Sequence, residues 1–428
     1  MDQQNYELDQ TGAKETPTKK KGSTVKGIVI GVIGTLLISW TGINVACLAT
    51  NSQILITNKE SADDGEGAVL DADTVSKINE LTAYTKLYYY DDTENEKLQD
   101  GLYTGLIDGL GDKYSVYYNA EDYQALQVST TGQYYGIGAG LSQDKDTMVV
   151  TVNKVYEGTP SESAGLLKDD VIVSVDGTEG TSMELSELVK LIRGEKGTTV
   201  HLEIYRPSTE ENLSVDVERQ DITLPSVSHK MFGDGIGYVH IDSFETETAA
   251  QFEEAVKDLE DQGMKALIID VRYNPGGMVT AVVQILDDIL PEGTVVYTED
   301  KNGNRQDYTS SGDTYLDYPL AVLINGESAS ASEILAGAIK DYQYGTLIGT
   351  TTFGKGIVQT IFPLEDGDAV KLTTAKYFTP NGNYIHGVGI EPDIELEYEY
   401  LNKEAVSYDE VYDNQIQKAI EVLKDKIQ

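Results

Sequence analysis

Beyond Gly235 the sequence alternates short apolar runs with stretches of helical periodicity, and this alternation constrains the fold more than any other feature. The runs at residues 236–241, 266–271, 295–297 and 320–324 have the length and composition of strands, and helices are expected at 248–262, ended by Gly263, and at 278–289. Such a pattern argues for an α/β layer architecture, in which ligands gather in loops leaving the carboxyl ends of the strands. Between about residues 134 and 206 the period shortens. There β-like runs at 148–155, 171–175 and 199–205 surround one helix at 183–192, with Asp176-Gly177 as a tight-turn signal, so a compact β-rich module is expected. Upstream, apolar residues at helical spacing (Ile78, Leu81, Tyr84, Leu87, then Leu98, Leu102, Leu106, Leu110) predict two or three amphipathic helices. The segment GDKYSVYY, from Gly111 to Tyr118, interrupts them as a turn followed by an aromatic-rich stretch. A chain of 428 residues with these changes of period is multidomain.

No charged residue occurs from Gly27 to Asn58, and residues 27–49 are long enough to cross a bilayer as a helix of roughly 20 residues. Lys14, Lys19, Lys20, Lys21 and Lys26 precede this stretch and acidic residues follow it. The positive-inside rule therefore places residues 1–26 in the cytoplasm and the bulk of the chain outside. The rival is a cleaved signal peptide, whose apolar region is normally shorter and ends in an A-x-A-like site. Residues 50–74 are polar and acidic and read as a solvated linker. Cys47, the single cysteine, lies in the apolar stretch, which rules out an internal disulfide and a Cys-based catalytic or zinc site. Lys plus Arg number 32 against 72 Asp plus Glu, a net charge of −40 that repels a phosphate backbone and excludes nucleic acid as a partner.

Three segments of the α/β region carry unusual chemistry. Asp270 to Met278 (DVRYNPGGM) leaves an apolar strand through Pro275 and two glycines and enters a helix, so its backbone N–H groups are suited to an oxyanion. Ile324 to Ile334 (INGESASASEI) is a strand, a small-residue turn and a helix start, the setting a nucleophilic serine needs. Spacing alone leaves Ser328, Ser330 and Ser332 all open as that serine. The third segment, Thr352 to Gln359 (TFGKGIVQ), holds Lys355 between two glycines. A serine needs a base, and His201, His229, His240 and His386 read as structural. A lysine serves if burial lowers its pKa, and Lys355 is the candidate. Two motif matches are decoys: the G-x-x-x-x-G-K ending at Lys355 lacks the following Ser/Thr that would hold magnesium, and Ser142-x-x-Lys145 lies in a polar turn without partner motifs.

The β-rich module resembles a PDZ domain through YGIGAGL (from Tyr135), TPSESAGLLKDDVIVSVDG (from Thr159) and IRGEKGTTV (from Ile192). Its glycine-rich turn at Gly136, Ile137 and Gly138, beside a free strand edge, suits capture of a peptide's C-terminal carboxylate. More widely, GDKYSVYY, VRYNPGG, SASASEILAGAIKDY, TTFGKGIVQT, KLTTAKYFTPNG and GVGIEPDI occur in an order that resembles the C-terminal processing (tail-specific) peptidase family over about residues 81–393. The resemblance implies a ClpP/crotonase-like α/β protease core and a serine endopeptidase with Ser330 as nucleophile, Lys355 as general base and Gln359 orienting the lysine. It also implies an oxyanion hole made by Ala331 with Gly276 or Gly277. Arg193 is the candidate link between PDZ module and core, and Asp341 is a position implicated in some relatives. The expected plan is a helical region at 75–130, PDZ domain at 131–220, peptidase core at 221–400 and C-terminal helical segment at 401–428. Expected partners are substrates with free C-terminal tails, the membrane of a bacterial cell, and a second subunit held by the helices before the PDZ module and by residues 412–427. No cofactor or metal is called for.

Overall fold

The structure is a computed structural model that describes residues 69–131, 133–313, 316–402 and 408–427. The expected membrane span at 27–49 lies outside the described residues, and among these no helix is long and apolar enough to cross a membrane. The chain divides into two units between Asn95 and Glu96. Within the first, α1 (Ala72–Tyr88) is opened by Asp71, whose carboxylate accepts the Thr74 N–H at 2.7 Å, a capping contact. None of its side chains is buried.

The second unit opens with α2 (Asn95–Asp108), β1 (Val116–Tyr118) and α3 (Ala120–Thr131). A β-rich module follows: β2 (Gln133–Gly136), β3 (Ala139–Gln143), β4 (Val150–Val155), β5 (Val171–Val175), β6 (Thr178–Glu179), α4 (Leu185–Ile192), β7 (Thr199–Arg206) and β8 (Glu211–Glu218), then β9 (Gln220–Thr223). Its main sheet runs β3-β4-β5-β7-β8, which leaves β3 as an edge, while β2 pairs with β9 apart from it. In β7 the alternate residues Val200, Leu202 and Ile204 are fully buried, the period-2 pattern of a sheet with one face on a core. They pack on Val150, Val152, Ile172 and Leu188.

The α/β core comprises β10 (Val227–Phe232), β11 (Ile236–Ile241), α5 (Thr248–Asp261), β12 (Ala266–Asp270), α6 (Val279–Ile289), β13 (Gly293–Asp300), β14 (Arg305–Ser310), β15 (Leu320–Ile324), α7 (Ala331–Asp341), β16 (Thr346–Gly349), β17 (Ile357–Pro363), β18 (Ala369–Phe378), β19 (Ile394–Glu395) and α8 (Asn414–Ile427). One sheet has the order β10-β11-β12-β15-β16-β19, parallel apart from its antiparallel edge β10. Its central strands are apolar without interruption because both faces are covered. Leu267, Ile269, Val322 and Ile324 join the core with α5, α6 and α7, while the alternate residues Ala266, Ile268, Ala321 and Leu323 join Ile416, Ala419 and Leu423 of α8. A second sheet, β1-β18-β13-β14 with β17 also on β18, was expected only at β13, which contains the run at 295–297. Its strands β17 and β18 mix polar and half-exposed residues and carry no apolar run to announce them.

One expectation is corrected. The apolar face of residues 412–427 does not wait for a second subunit: Ile416, Ala419 and Leu423 are fully buried against the chain's own sheet. Truncating that face leaves a cavity in a closed core, so Leu423→Ala is expected to cost about 2–5 kcal/mol. Urea denaturation measures this, and a cost near zero would sink the account of α8 as a core layer.

Candidate active site

Three loops at the carboxyl end of the parallel sheet are tied together by Asn274. Fully buried, it donates from its side chain to Ile241 O (2.8 Å) and accepts the Gly276 N–H on Oδ1 (2.8 Å), while its carbonyl accepts from Ala329 N–H (3.1 Å) and Ser332 Oγ (2.9 Å). The loop after β12 and the turn before α7 are thereby one packed unit. Gly276 sits against that turn so closely that a Cβ there would lie 2.7 Å from Ser330 Cβ and 2.9 Å from Ala331 N. With φ of 102° and 143°, Gly276 and Gly277 adopt backbone conformations that side chains disfavour.

The same packing distinguishes the three serines. Ser328 is fully buried, with its hydroxyl donating to Val271 O (2.7 Å) and accepting from Asn325 N–H. Ser332 is also fully buried and is held by Asn274. Ser330 is half-buried, its hydroxyl donates to no acceptor among the described residues, and its φ of 54° is a strained value for a residue with a side chain. The Tyr377 hydroxyl holds the Ser330 carbonyl at 3.1 Å, and α7 starts at the next residue. Of the expected oxyanion donors, the Gly276 N–H is spent on Asn274. Those of Gly277 and Ala331 have no acceptor among the described residues.

Glu333 is the residue the sequence reasoning passed over. Fully buried, its Oε2 accepts the N–H of Ser330 (2.9 Å) and of Lys355 (2.8 Å), and its Oε1 accepts Thr352 Oγ1 (2.6 Å) and the Gly354 N–H (2.7 Å). One carboxylate thus holds the serine turn and the lysine loop. Half of the arrangement was visible as S-x-x-E, a capping-box pattern beginning at Ser330. The glycines flanking Lys355 are needed for space: a Cβ on Gly354 would lie 3.0 Å from Val388 N, and one on Gly356 would lie 2.7 Å from His386 N.

Lys355 is half-buried, and its Nζ makes no hydrogen bond or ion pair among the described residues. Burial holds its pKa below the ordinary lysine value; Lys371 pushes in the same direction and Glu333 opposes. Gln359 does not hydrogen-bond the lysine here, its side-chain amide donating to Thr373 Oγ1 at 3.4 Å. Of the histidines, His201 is bracketed by Asp216 and Glu203, His229 pairs with Asp258, and His240 pairs with Asp242. His386 is nearer the site than its sequence position suggested, its Nδ1 accepting the Gly356 N–H at 3.4 Å. Asp341 accepts the Asn381 N–H at 2.8 Å.

In the β-rich module, Gly138 has φ of 77°, and a Cβ there would lie 2.3 Å from Thr159. The N–H groups of Ile137 and Gly138 have no acceptor among the described residues, and β3 leads away from them along its free edge. Gln143 closes the other end of that edge, donating to Met183 O (2.9 Å) and accepting the Leu185 N–H (2.9 Å). Arg193 lies 4.7 Å from the Tyr134 ring centroid, and its Nε is buried without a hydrogen-bond partner.

A β-rich module with an open sheet edge, joined to an α/β core with a serine at a strained strand-to-helix turn, is the arrangement of a serine-type peptidase. Residues 235–396 match the family model described as peptidase family S41, and residues 135–217 match that of the PDZ domain. The chain is 34% identical to the carboxy-terminal processing protease CtpB of Bacillus subtilis (strain 168), over 83% of this chain and 74% of that one. It is 38% identical to the carboxyl-terminal-processing protease of Synechocystis sp. (strain ATCC 27184 / PCC 6803 / Kazusa), over 71% of each chain. To a probable CtpA-like serine protease of Staphylococcus aureus (strain COL) it is 32% identical, over 91% of this chain and 77% of that one. The chain belongs to peptidase family S41, as a PDZ-containing serine peptidase of the carboxy-terminal processing type.

Removing the Glu333 carboxylate leaves three backbone donors and one hydroxyl without their acceptor. Glu333→Ala is expected to lower peptide hydrolysis about 100-fold or more while tail-peptide binding to the PDZ domain stays within about twofold. Kinetics and fluorescence titration of one preparation check this, and full activity would refute the tie.

Proposed function

We propose that this protein is a membrane-anchored endopeptidase that captures C-terminal tails in its PDZ domain and cleaves by a Ser330–Lys355 mechanism. The observation that carries the reading is the shared Glu333 Oε2: it accepts the backbone N–H of both residues, so the uncommitted hydroxyl of SASAS and a half-buried amine stem from adjoining backbone. Ser330 Oγ attacks the scissile carbonyl carbon while Lys355 takes its proton. The C–N bond then breaks as that proton passes to the leaving amine, and water hydrolyses the acyl-enzyme with Lys355 again as base. The N–H groups of Ala331 and Gly277 receive the oxyanion, Gly276 giving the turn its shape. Gln359 reaches the lysine after giving up its 3.4 Å contact with Thr373.

Upstream, the tail's carboxylate is received by the N–H groups of Ile137 and Gly138, with Gly136 shaping the turn, and its backbone adds to the β3 edge. Arg193 couples tail binding to the core by leaving the Tyr134 ring, which supplies no hydrogen bond to its buried Nε. Residues 27–49 anchor the enzyme with its catalytic part extracytoplasmic. The exposed Leu102, Leu106 and Leu110, on and just after α2, support a homodimer. Cell fractionation with protease protection, and sedimentation of the soluble part, test these last two points.

Ser330→Ala and Lys355→Ala are each expected to lower kcat about 1,000-fold or more. In the wild type kcat rises with pH as Lys355 loses its proton. Because burial and Lys371 hold that pKa down, the rise ends at a lower pH than an exposed lysine would set, and Lys371→Met moves it to higher pH. A pH–kcat profile measures both, and a lysine variant cleaving at the wild-type rate would end the proposal. Arg193→Ala is expected to abolish stimulation by tail peptides without preventing their binding; stimulation left intact would remove Arg193 from the mechanism.

A further inference from the structure

The segment GDKYSVYY stands out in sequence, and the reaction as described makes no use of it. In the fold it is a strap. Asp112 accepts the Tyr114 N–H (3.1 Å) and the Ser115 hydroxyl (2.6 Å), and the buried Ser115 oxygen accepts the Thr373 N–H of β18 (3.1 Å). β1 then pairs antiparallel with β18, Val116 opposite Lys371. Lys371 Nζ donates to the Tyr118 hydroxyl at 2.7 Å, and the Tyr117 hydroxyl bonds Asp368. The C-terminal end of the turn is thereby fastened to the strand that also pairs with β17, the strand entered directly from Lys355-Gly356, and Asp112 closes the turn on that anchored end. The residue this turn presents is Tyr114. Its ring centroid lies 5.1 Å from Lys355 Nζ and 6.4 Å from the His386 ring, which meets it edge-on.

We propose that Tyr114 is a positioning residue for Lys355, its ring face fixing the direction in which the lysine side chain leaves the FGKG loop. The inference rests on Lys355 being the base. Among the described residues the amine has no polar partner, so the ring is the group that restricts it. A flexible four-carbon stem between two glycines would otherwise spread over several rotamers. An aromatic face attracts an ammonium but leaves no hydrogen bond to break when the amine turns neutral, which suits a base that must cycle between the two. The other charged or titratable groups around this arrangement are Lys371 from β18, Glu333 from α7, Asp112 and Lys113 from the strap, and His386 from the loop after β18. Lys113 Nζ lies 4.8 Å from the same ring centroid, a second cation on one π system that weakens its hold on a charged Lys355.

The test compares Tyr114→Phe, Tyr114→Trp and Tyr114→Leu in the whole protein, with kcat, KM and the pH dependence of kcat as readouts. Leucine keeps apolar bulk and removes the face. It is expected to lower kcat about tenfold with KM within about twofold, and to move the rising limb to lower pH by about half a unit, because the ammonium loses a stabilising contact. Phenylalanine restores kcat to within about twofold of wild type, and tryptophan, with the stronger face, moves the limb to higher pH. A merely structural strap residue would change kcat without moving the limb in opposite directions. Wild-type kcat and pH limb in Tyr114→Leu overturn the proposal, as does a phenylalanine variant as slow as the leucine one. Should the leucine variant fail to fold, the phenylalanine and tryptophan profiles decide, and an unmoved limb in tryptophan overturns it. Lys355→Ala separates this inference from the reading beneath it: an active alanine variant removes both, whereas an inactive one beside an unchanged Tyr114→Leu removes the positioning role alone.

Discussion

A single buried carboxylate sets the spacing of this site. Glu333 joins two loops that come from different strands, accepting three backbone N–H groups and one hydroxyl. A buried carboxylate tolerates burial only when its lone pairs are occupied, and here four donors occupy them. The cost of desolvating it is offset by charge-assisted hydrogen bonds, which are geometrically exact in a way that apolar packing is not. Reactive groups held this way need little reorganisation at the moment of reaction, the condition under which positioning contributes most.

Around that tie the backbone is under strain that the packing sustains. Ser330 keeps its φ of 54° because its N–H is held by Glu333 and its carbonyl by Tyr377, and the neighbouring Ala329 N–H is held by Asn274. Behind the loop that carries Asn274, Arg272 is enclosed by Asp270, Asp413 and Gln415, with the Tyr238 hydroxyl donating to Asp270. The PDZ domain contributes a different element, the unpaired edge of strand β3.

Much of this was legible in sequence, for identifiable reasons. Strands β11, β12 and β15 carry apolar residues on both faces because both faces are covered, and such runs stand out. The glycines around Lys355 and after Asn274 advertised tight backbone. Strands β17 and β18 were hidden because half-exposed strands with polar residues have no run to read. The choice among Ser328, Ser330 and Ser332 was beyond any spacing rule, since it turns on which hydroxyls meet Val271 O and Asn274 O. Glu333 was half legible: its bond to Ser330 is local, but its bonds to Thr352, Gly354 and Lys355 span 19, 21 and 22 positions. His386 and Tyr114 meet only in three dimensions.

The Arg272 network also ties the site to a distant part of the sequence. Asp413 and Gln415 lie 141 and 143 positions beyond the arginine, yet they receive it beside the loop that carries Asn274. Removing those acceptors leaves a buried cation without two of its partners, and the cost falls on the backbone at the foot of that loop rather than on α8 alone. Damage far along the chain is thereby felt where the serine turn is assembled.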